Sequence, residues 1–176
     1  MPPGIPVSAD PIVRLRSAET RDLPFLREML FEAAFWRMGH ERPDLESGLA
    51  TPELAKLLEG WGDRAGDLGV IAEAAGGARI GAAWLRYWSA ESHSYGFVAP
   101  DVPELGVAVR RQARRGGVGE RLLRALLEDA ARRGATQVSL SVEPDNPAAR
   151  LYARLGFRRV EVVGGAWTMV AAVGGA

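Results

Sequence analysis

The chain has 176 residues, 47% of them apolar, which suits one packed domain and is too apolar for a disordered protein. Lys+Arg and Asp+Glu balance at 22 each, so net charge gives no electrostatic draw toward nucleic acid or an anionic membrane. There is no cysteine, which excludes disulfides, thiolate metal sites, iron–sulfur clusters and thiol nucleophiles, and the two histidines, His40 and His93, are not spaced as a metal-binding pair.

Residues 1–10 hold three prolines without the charged start and apolar run of a signal peptide, and no apolar stretch approaches the roughly 20 residues of a membrane span. A soluble, cytoplasmic protein is expected, with a single domain over 11–171 and flexible tails at 1–10 and 172–176. Residues 12–16 alternate apolar and polar as a strand does. Asp22 is placed to cap a helix with Pro24 in its first turn, and Leu23, Leu26, Leu30 and Ala34 recur at helical spacing toward Trp36. Residues 39–48 read as loop. Thr51-Pro52-Glu53 opens a second helix with the stripe Leu54, Leu57, Leu58 and Trp61. Residues 68–74 and 79–88 form a hairpin about Gly76-Gly77, followed by a polar loop over 89–102.

Residues 104–109 are a short strand. They lead to Arg114-Arg115-Gly116-Gly117-Val118-Gly119 and a long helix to about Arg133, stopped by Gly134. Val118, Leu122, Leu123, Leu126, Leu127 and Ala130 make its apolar face, with acid-first pairs such as Glu120–Arg124 and Asp129–Arg133 on the other side. A strand at 137–142, a Pro-Asp-Asn-Pro turn, a short helix at 148–155 and strands at 157–163 and 166–170 complete the chain. The central strand–helix–strand unit implies parallel pairing and the hairpins antiparallel pairing, hence a mixed sheet in an α/β (α+β) fold.

The glycine turn is the most informative stretch. The first turn of a helix presents unpaired N–H groups and a partial positive charge. Glycines admit a bulky anion to those groups, and two arginines add charged donors, which together suit a pyrophosphate. A plain tight turn with solvated arginines is the alternative. The turn is neither a P-loop, since Val118-Gly119-Glu120 lacks Gly-Lys-Ser/Thr, nor a dinucleotide fingerprint, whose glycine spacing differs.

Arg114-x-x-Gly117-x-Gly119 resembles the GNAT signature Arg/Gln-x-x-Gly-x-Gly/Ala. Asn146-Pro-Ala-Ala-Arg-Leu-Tyr152-Ala-Arg-Leu-Gly156-Phe157 resembles the second GNAT motif, Asn-x-x-Ala-x-x-Leu-Tyr-x-x-x-Gly-Phe. The strict likeness covers 104–157. It implies a mostly antiparallel mixed sheet of six to seven strands flanked by about four helices, around a central β-α-β coenzyme-binding unit. It implies acetyl-coenzyme A as co-substrate, with no metal, and direct transfer of acetyl to a primary amine of a small molecule or peptide. Members of the family are often dimers, so a homodimer is one expectation; nucleic-acid and membrane partners are not expected.

By the same resemblance, the N–H groups of Gly117, Val118 and Gly119 would hold the coenzyme pyrophosphate, with Arg114, Arg115, Gly116 and Glu120 in the same turn. The strand at Val107, Ala108 and Val109 would pair with the pantetheine arm, and Asn146 would touch that arm. Tyr152 would face the coenzyme sulfur as general acid, or else simply anchor a short helix to the core. Glu104 opens the motif strand on one face with Gly106 and Ala108, small residues that leave room for a ligand. It is either the base that deprotonates the amine or a solvated strand-end carboxylate, and a bulge would flip its face. His93 is the reserve base. Phe35, Trp36 and Met38, with Trp84, Arg86, Tyr87 and Trp88, are candidates for the acceptor wall or for core, Arg86 being placed to pair an acceptor carboxylate. Glu41 and Asp44 can attract a cationic amine or merely be solvated. A non-catalytic acyl-coenzyme A binding module and a protein-modifying acetyltransferase are the other readings.

Overall fold

The computed structural model describes residues 12–37, 39 and 41–174. Seven strands form one sheet in the order β1-β2-β3-β4-β5-β7-β6, crossed by five α-helices. The strands are β1 (Arg14–Ser17), β2 (Leu68–Glu73), β3 (Arg79–Arg86), β4 (Glu104–Val109), β5 (Gln137–Val142), β6 (Arg158–Val163) and β7 (Ala166–Ala172). The helices are α1 (Leu23–Ala34), α2 (Leu45–Leu49), α3 (Pro52–Leu58), α4 (Val118–Arg132) and α5 (Ala148–Arg154). All pairings are antiparallel except β4 with β5.

The period of two along the strands sorts side chains onto two faces. Val70, Ala83, Leu85, Leu105, Val138 and Leu140 meet the apolar stripe of α4, where Leu122, Leu123 and Leu126 are wholly buried. Ile71, Ala82, Trp84 and Ala108 point the other way, against Phe25, Leu26 and Met29 of α1 and Leu58 of α3. The hairpin turn places both Gly76 and Gly77 at positive φ (94° and 87°), the backbone that such tight turns require. Gly134 closes α4 at φ 94°.

Several local expectations change. α2 lies inside the stretch read as loop; its five residues are too few to show helical periodicity, and Asp44 caps it by accepting from the Ser47 N–H (3.0 Å). Asp22 does not cap α1 with its side chain; its oxygens are turned to Arg16 and to the Glu19 N–H instead. β7 extends to Ala172, paired with Gln137, so the sheet takes in the start of the expected C-terminal tail. Residues 1–11, Met38, His40 and residues 175–176 lie outside the described residues. Among the described residues no helix is long and apolar enough to cross a membrane, and no cluster of His, Asp and Glu could hold a metal ion.

Candidate active site

The sheet opens at its centre. β4 pairs with β3 along its whole length, yet with β5 only at Glu104↔Ser139, where Ser139 N–H donates to the Pro103 carbonyl (2.9 Å). Beyond that point the two parallel strands part. The edge of β4 from Gly106 to Val109 therefore faces a cleft of about 1160 Å³ rather than a neighbouring strand. Of the residues expected to hold coenzyme, all but Gly116 line this cleft, and of the described acceptor candidates Phe35, Trp36, Trp84, Arg86 and Trp88 line it while Tyr87, Glu41 and Asp44 do not.

At one end stands the glycine turn. Arg115 and Gly117 both adopt left-handed backbone (φ 67° and 74°), and α4 begins immediately after. The first intrahelical bond of α4 is Arg121 N–H to the Gly117 carbonyl, so the N–H groups of Val118, Gly119 and Glu120 have no acceptor within the helix. A Cβ built on Gly117 would meet nothing within 4 Å. That open, uncapped helix start, continuous with the unpaired edge of β4, fits a diphosphate followed by an amide-bearing arm.

The two arginines are not equivalent. Arg114 donates to its neighbour's carbonyl at Val109 (2.9 Å) and to Glu32 of α1 (3.1 Å), so it ties the turn to α1. Burial opposes ionisation of Glu32, but bonds from Arg42 and the charge of Arg114 hold it below the ordinary carboxylate range. Arg115 is exposed and lines the cleft. Asn146 uses its Oδ1 to accept from the Ala148 N–H (2.9 Å), which starts α5 and turns Tyr152 into the cleft.

Tyr152 is 7% exposed and meets Phe157 edge-on at 5.9 Å between ring centres. Its hydroxyl has no hydrogen-bond partner among the described residues. Burial alone pushes its phenol above the ordinary range, which keeps the proton on the oxygen at neutral pH. Its ring packs in the core beneath α4 while the residue also lines the cleft.

Glu104 is no solvated strand end. There is no bulge in β4, and its side chain is enclosed beneath the β3–β4 loop. Oε1 accepts from the Ser94 hydroxyl (3.0 Å) and the Gly96 N–H (3.1 Å), while Oε2 is buried without a partner. Gly96 permits this: a Cβ there would sit 2.6 Å from Oε1. Burial pushes the carboxyl up to about 7, against the pull of its two donors. The room expected beside it is filled differently, since a Cβ on Gly106 would lie 2.6 Å from the Trp84 indole, which occupies that space. His93 stacks on Phe97 at 4.4 Å and does not line the cleft.

Arg86 requires a correction. It is directly opposite Glu104 in the β3–β4 register, but its guanidinium turns away. Nε and Nη2 bind the two oxygens of Asp67 (3.0 and 2.8 Å), and Nη1 donates to the carbonyls of Glu59 (2.7 Å) and Lys56 (3.3 Å). Both charges are 2% exposed. Four of its five N–H donors are spent inside the protein and its charge is paired with Asp67, so it is not placed to hold an acceptor carboxylate. Trp84 and Trp88 are core residues that also wall the cleft. Trp36 reaches across it, donating to Glu143 beyond β5 (2.6 Å), and Arg37 pairs with Asp145 beside it. Ser94, Gly96 and Asp67, which set the states of Glu104 and Arg86, carry no sequence signal; each acts across a loop from a residue distant in the chain.

Comparison with known proteins agrees with this geometry. The model of the Acetyltransferase (GNAT) family matches residues 25–157. A mycothiol acetyltransferase of Clavibacter sepedonicus is 38% identical over 108 residues, which is 61% of this chain and 32% of that protein. The chain thus spans about a third of the stretch such curated relatives occupy in length. Among solved structures, the PaiA N-acetyltransferase of Thermoplasma acidophilum in complex with coenzyme A superposes with a TM-score of 0.68 at 17% identity, covering 92% of this chain and 99% of that one. The putative acetyltransferase YncA of Salmonella typhimurium, with acetyl-CoA, gives 0.64 at 23% identity, covering 92% and 94%. Motifs, cleft and fold converge, and the chain belongs to the GNAT acetyltransferase family.

Proposed function

We propose that the protein is an acetyl-coenzyme A-dependent N-acetyltransferase acting on a primary amine of a small molecule or peptide by direct attack. The observation that carries this reading is one cleft in which the uncapped start of α4 and the unpaired edge of β4 lead to Glu104 and Tyr152. The co-substrate supplies a thioester-activated acetyl group. The N–H groups of Val118, Gly119 and Glu120 bind its diphosphate, and the edge of β4 aligns its arm.

The Oε2 of Glu104, buried and unpartnered, accepts the proton that an ammonium must lose before it attacks. An unpaired β4 N–H is available to a developing oxyanion. The Tyr152 hydroxyl gives its proton to the departing thiolate; with no cysteine in the chain, no acyl-thiol intermediate on the protein is involved. An amine panel monitored by release of free coenzyme A tests the reading. Tyr152→Phe is expected to lower turnover about 10- to 100-fold while coenzyme A affinity, measured by calorimetry, stays within about twofold. Absence of coenzyme A binding to the wild type would remove the proposal altogether.

A further inference from the structure

The residues lining the cleft fall into two groups. The glycine turn, Asn146 and α5 form the first. The second comes from α1, α3, β3, the β3–β4 loop and the β6–β7 turn, and it presents Leu30, Leu54, Leu57, Trp84, Trp88 and Tyr95. This second wall is apolar, and its charges other than Glu104 are spoken for, while the guanidiniums of the cleft without an ion pair among the described residues, Arg115 and Arg150, belong to the first group. Arg86 is closed into its pair with Asp67. Glu32 is bound by Arg42 and Arg114, and Glu143 faces Arg37 and the Trp36 indole. Lys56 lies outside the lining and donates to the His93 carbonyl. What remains is Glu104, which lines the cleft without an ion pair among the described residues and whose Oε2 is buried without a hydrogen-bond partner.

A carboxylate brought into this wall would lose water without gaining a cationic partner and would stand beside a second carboxyl. An ammonium would find Glu104, and an apolar substituent would find leucines and two indole faces. Resting on the acetyl-transfer reading above, we infer that the acceptor is a primary amine carried on an apolar, aromatic-sized frame with no acid group next to the nitrogen. The Asp67–Arg86 pair is the device that excludes amino acids: by sequestering the one guanidinium of β3 that borders the chamber, Asp67 removes the anchor a free α-carboxylate would need.

The test compares tryptamine, L-tryptophanamide, L-tryptophan and L-serinamide on the intact chain with acetyl-coenzyme A. Coenzyme A release is followed, and in parallel each amine is titrated calorimetrically into the coenzyme A-loaded protein. L-tryptophanamide is expected to exceed L-tryptophan by about a hundredfold and L-serinamide by about tenfold in kcat/KM, with tryptamine in the favoured class and binding in the same order. L-tryptophan or L-serinamide within about threefold of L-tryptophanamide in either measurement overturns the inference, as does failure of all four to bind. Binding in the expected order without acetylation would sink the transfer reading and leave the acceptor assignment standing. Turnover without that order would do the reverse.

Discussion

Asp22 and Glu104 are both carboxylates folded into the protein near strand ends, and they live in opposite conditions. Asp22, before α1, is gripped by Arg16 at 2.7 and 2.8 Å, faces Arg79, and accepts the Glu19 N–H; the Arg16 bonds lead in holding its carboxyl down at about 2. Glu104 is less completely covered over the whole residue, but its carboxyl receives only neutral donors, and burial lifts it to about 7. An arginine stands across from Glu104 as well, but Asp67 has taken it. Desolvation acts on both carboxyls; the presence or diversion of a guanidinium decides whether the result is a fixed anion or a carboxyl raised toward neutral pH.

Removing Glu104, the proposed base, should have the largest effect. Glu104→Gln is expected to lower kcat/KM about 100- to 1000-fold and to flatten the acidic limb of the pH–rate profile, which in the wild type should fall away below about 7. A retained limb would assign the base elsewhere.

Removing the fixed anion should instead cost stability, because it strands the Arg16 guanidinium. Asp22→Asn is expected to lower unfolding free energy at pH 7 by about 3 kcal/mol in urea titrations. Its folded value is depressed, so its contribution is present above the ordinary 3.8 and lost as pH falls toward about 2; the gap between variant and wild type should close over that range. Glu104 has the opposite sign. Its folded value is raised from 4.5 to about 7, so its protonated form favours folding below 4.5, and that advantage is lost as pH rises through about 7. Glu104→Gln should therefore unfold later than wild type at pH 8, by about 1–3 kcal/mol, the stability given up for a functional group.

The smallest predicted change sharpens the comparison most. Asp67→Asn loosens Arg86, whose strand position places it beside Glu104, since directly opposed side chains on one face lie about 5 Å apart at Cβ. The acidic limb of kcat/KM should then move down by about one pH unit, as Glu104 comes to resemble Asp22. An unmoved limb would show that Asp67 has no hold over the state of Glu104.

Much of this molecule can be read along the chain. The α4 stripe, the Gly76-Gly77 hairpin and the glycine turn depend on neighbours within a few residues, and the residues themselves declare them, whereas the register of β4 is set by its pairing with β3. Tyr152 and Glu104 stand out by position in the motifs. Arg86 was legible only as an odd charge in an apolar strand, and its partner Asp67, 19 residues earlier, was not legible at all. The five residues of α2 were too few to betray a period.

Local spacing and glycine content thus determined by themselves that this chain builds an open glycine turn between a strand and an amphipathic helix, because backbone geometry is set by short-range sterics and hydrogen bonds. Which carboxyl keeps its proton, and which arginine is free to meet a ligand, was decided only in three dimensions. Burial and charge act through space, and Ser94, Gly96 and Asp67 reach Glu104 and Arg86 only once the β3–β4 loop and the α3–β2 connection have folded over the sheet.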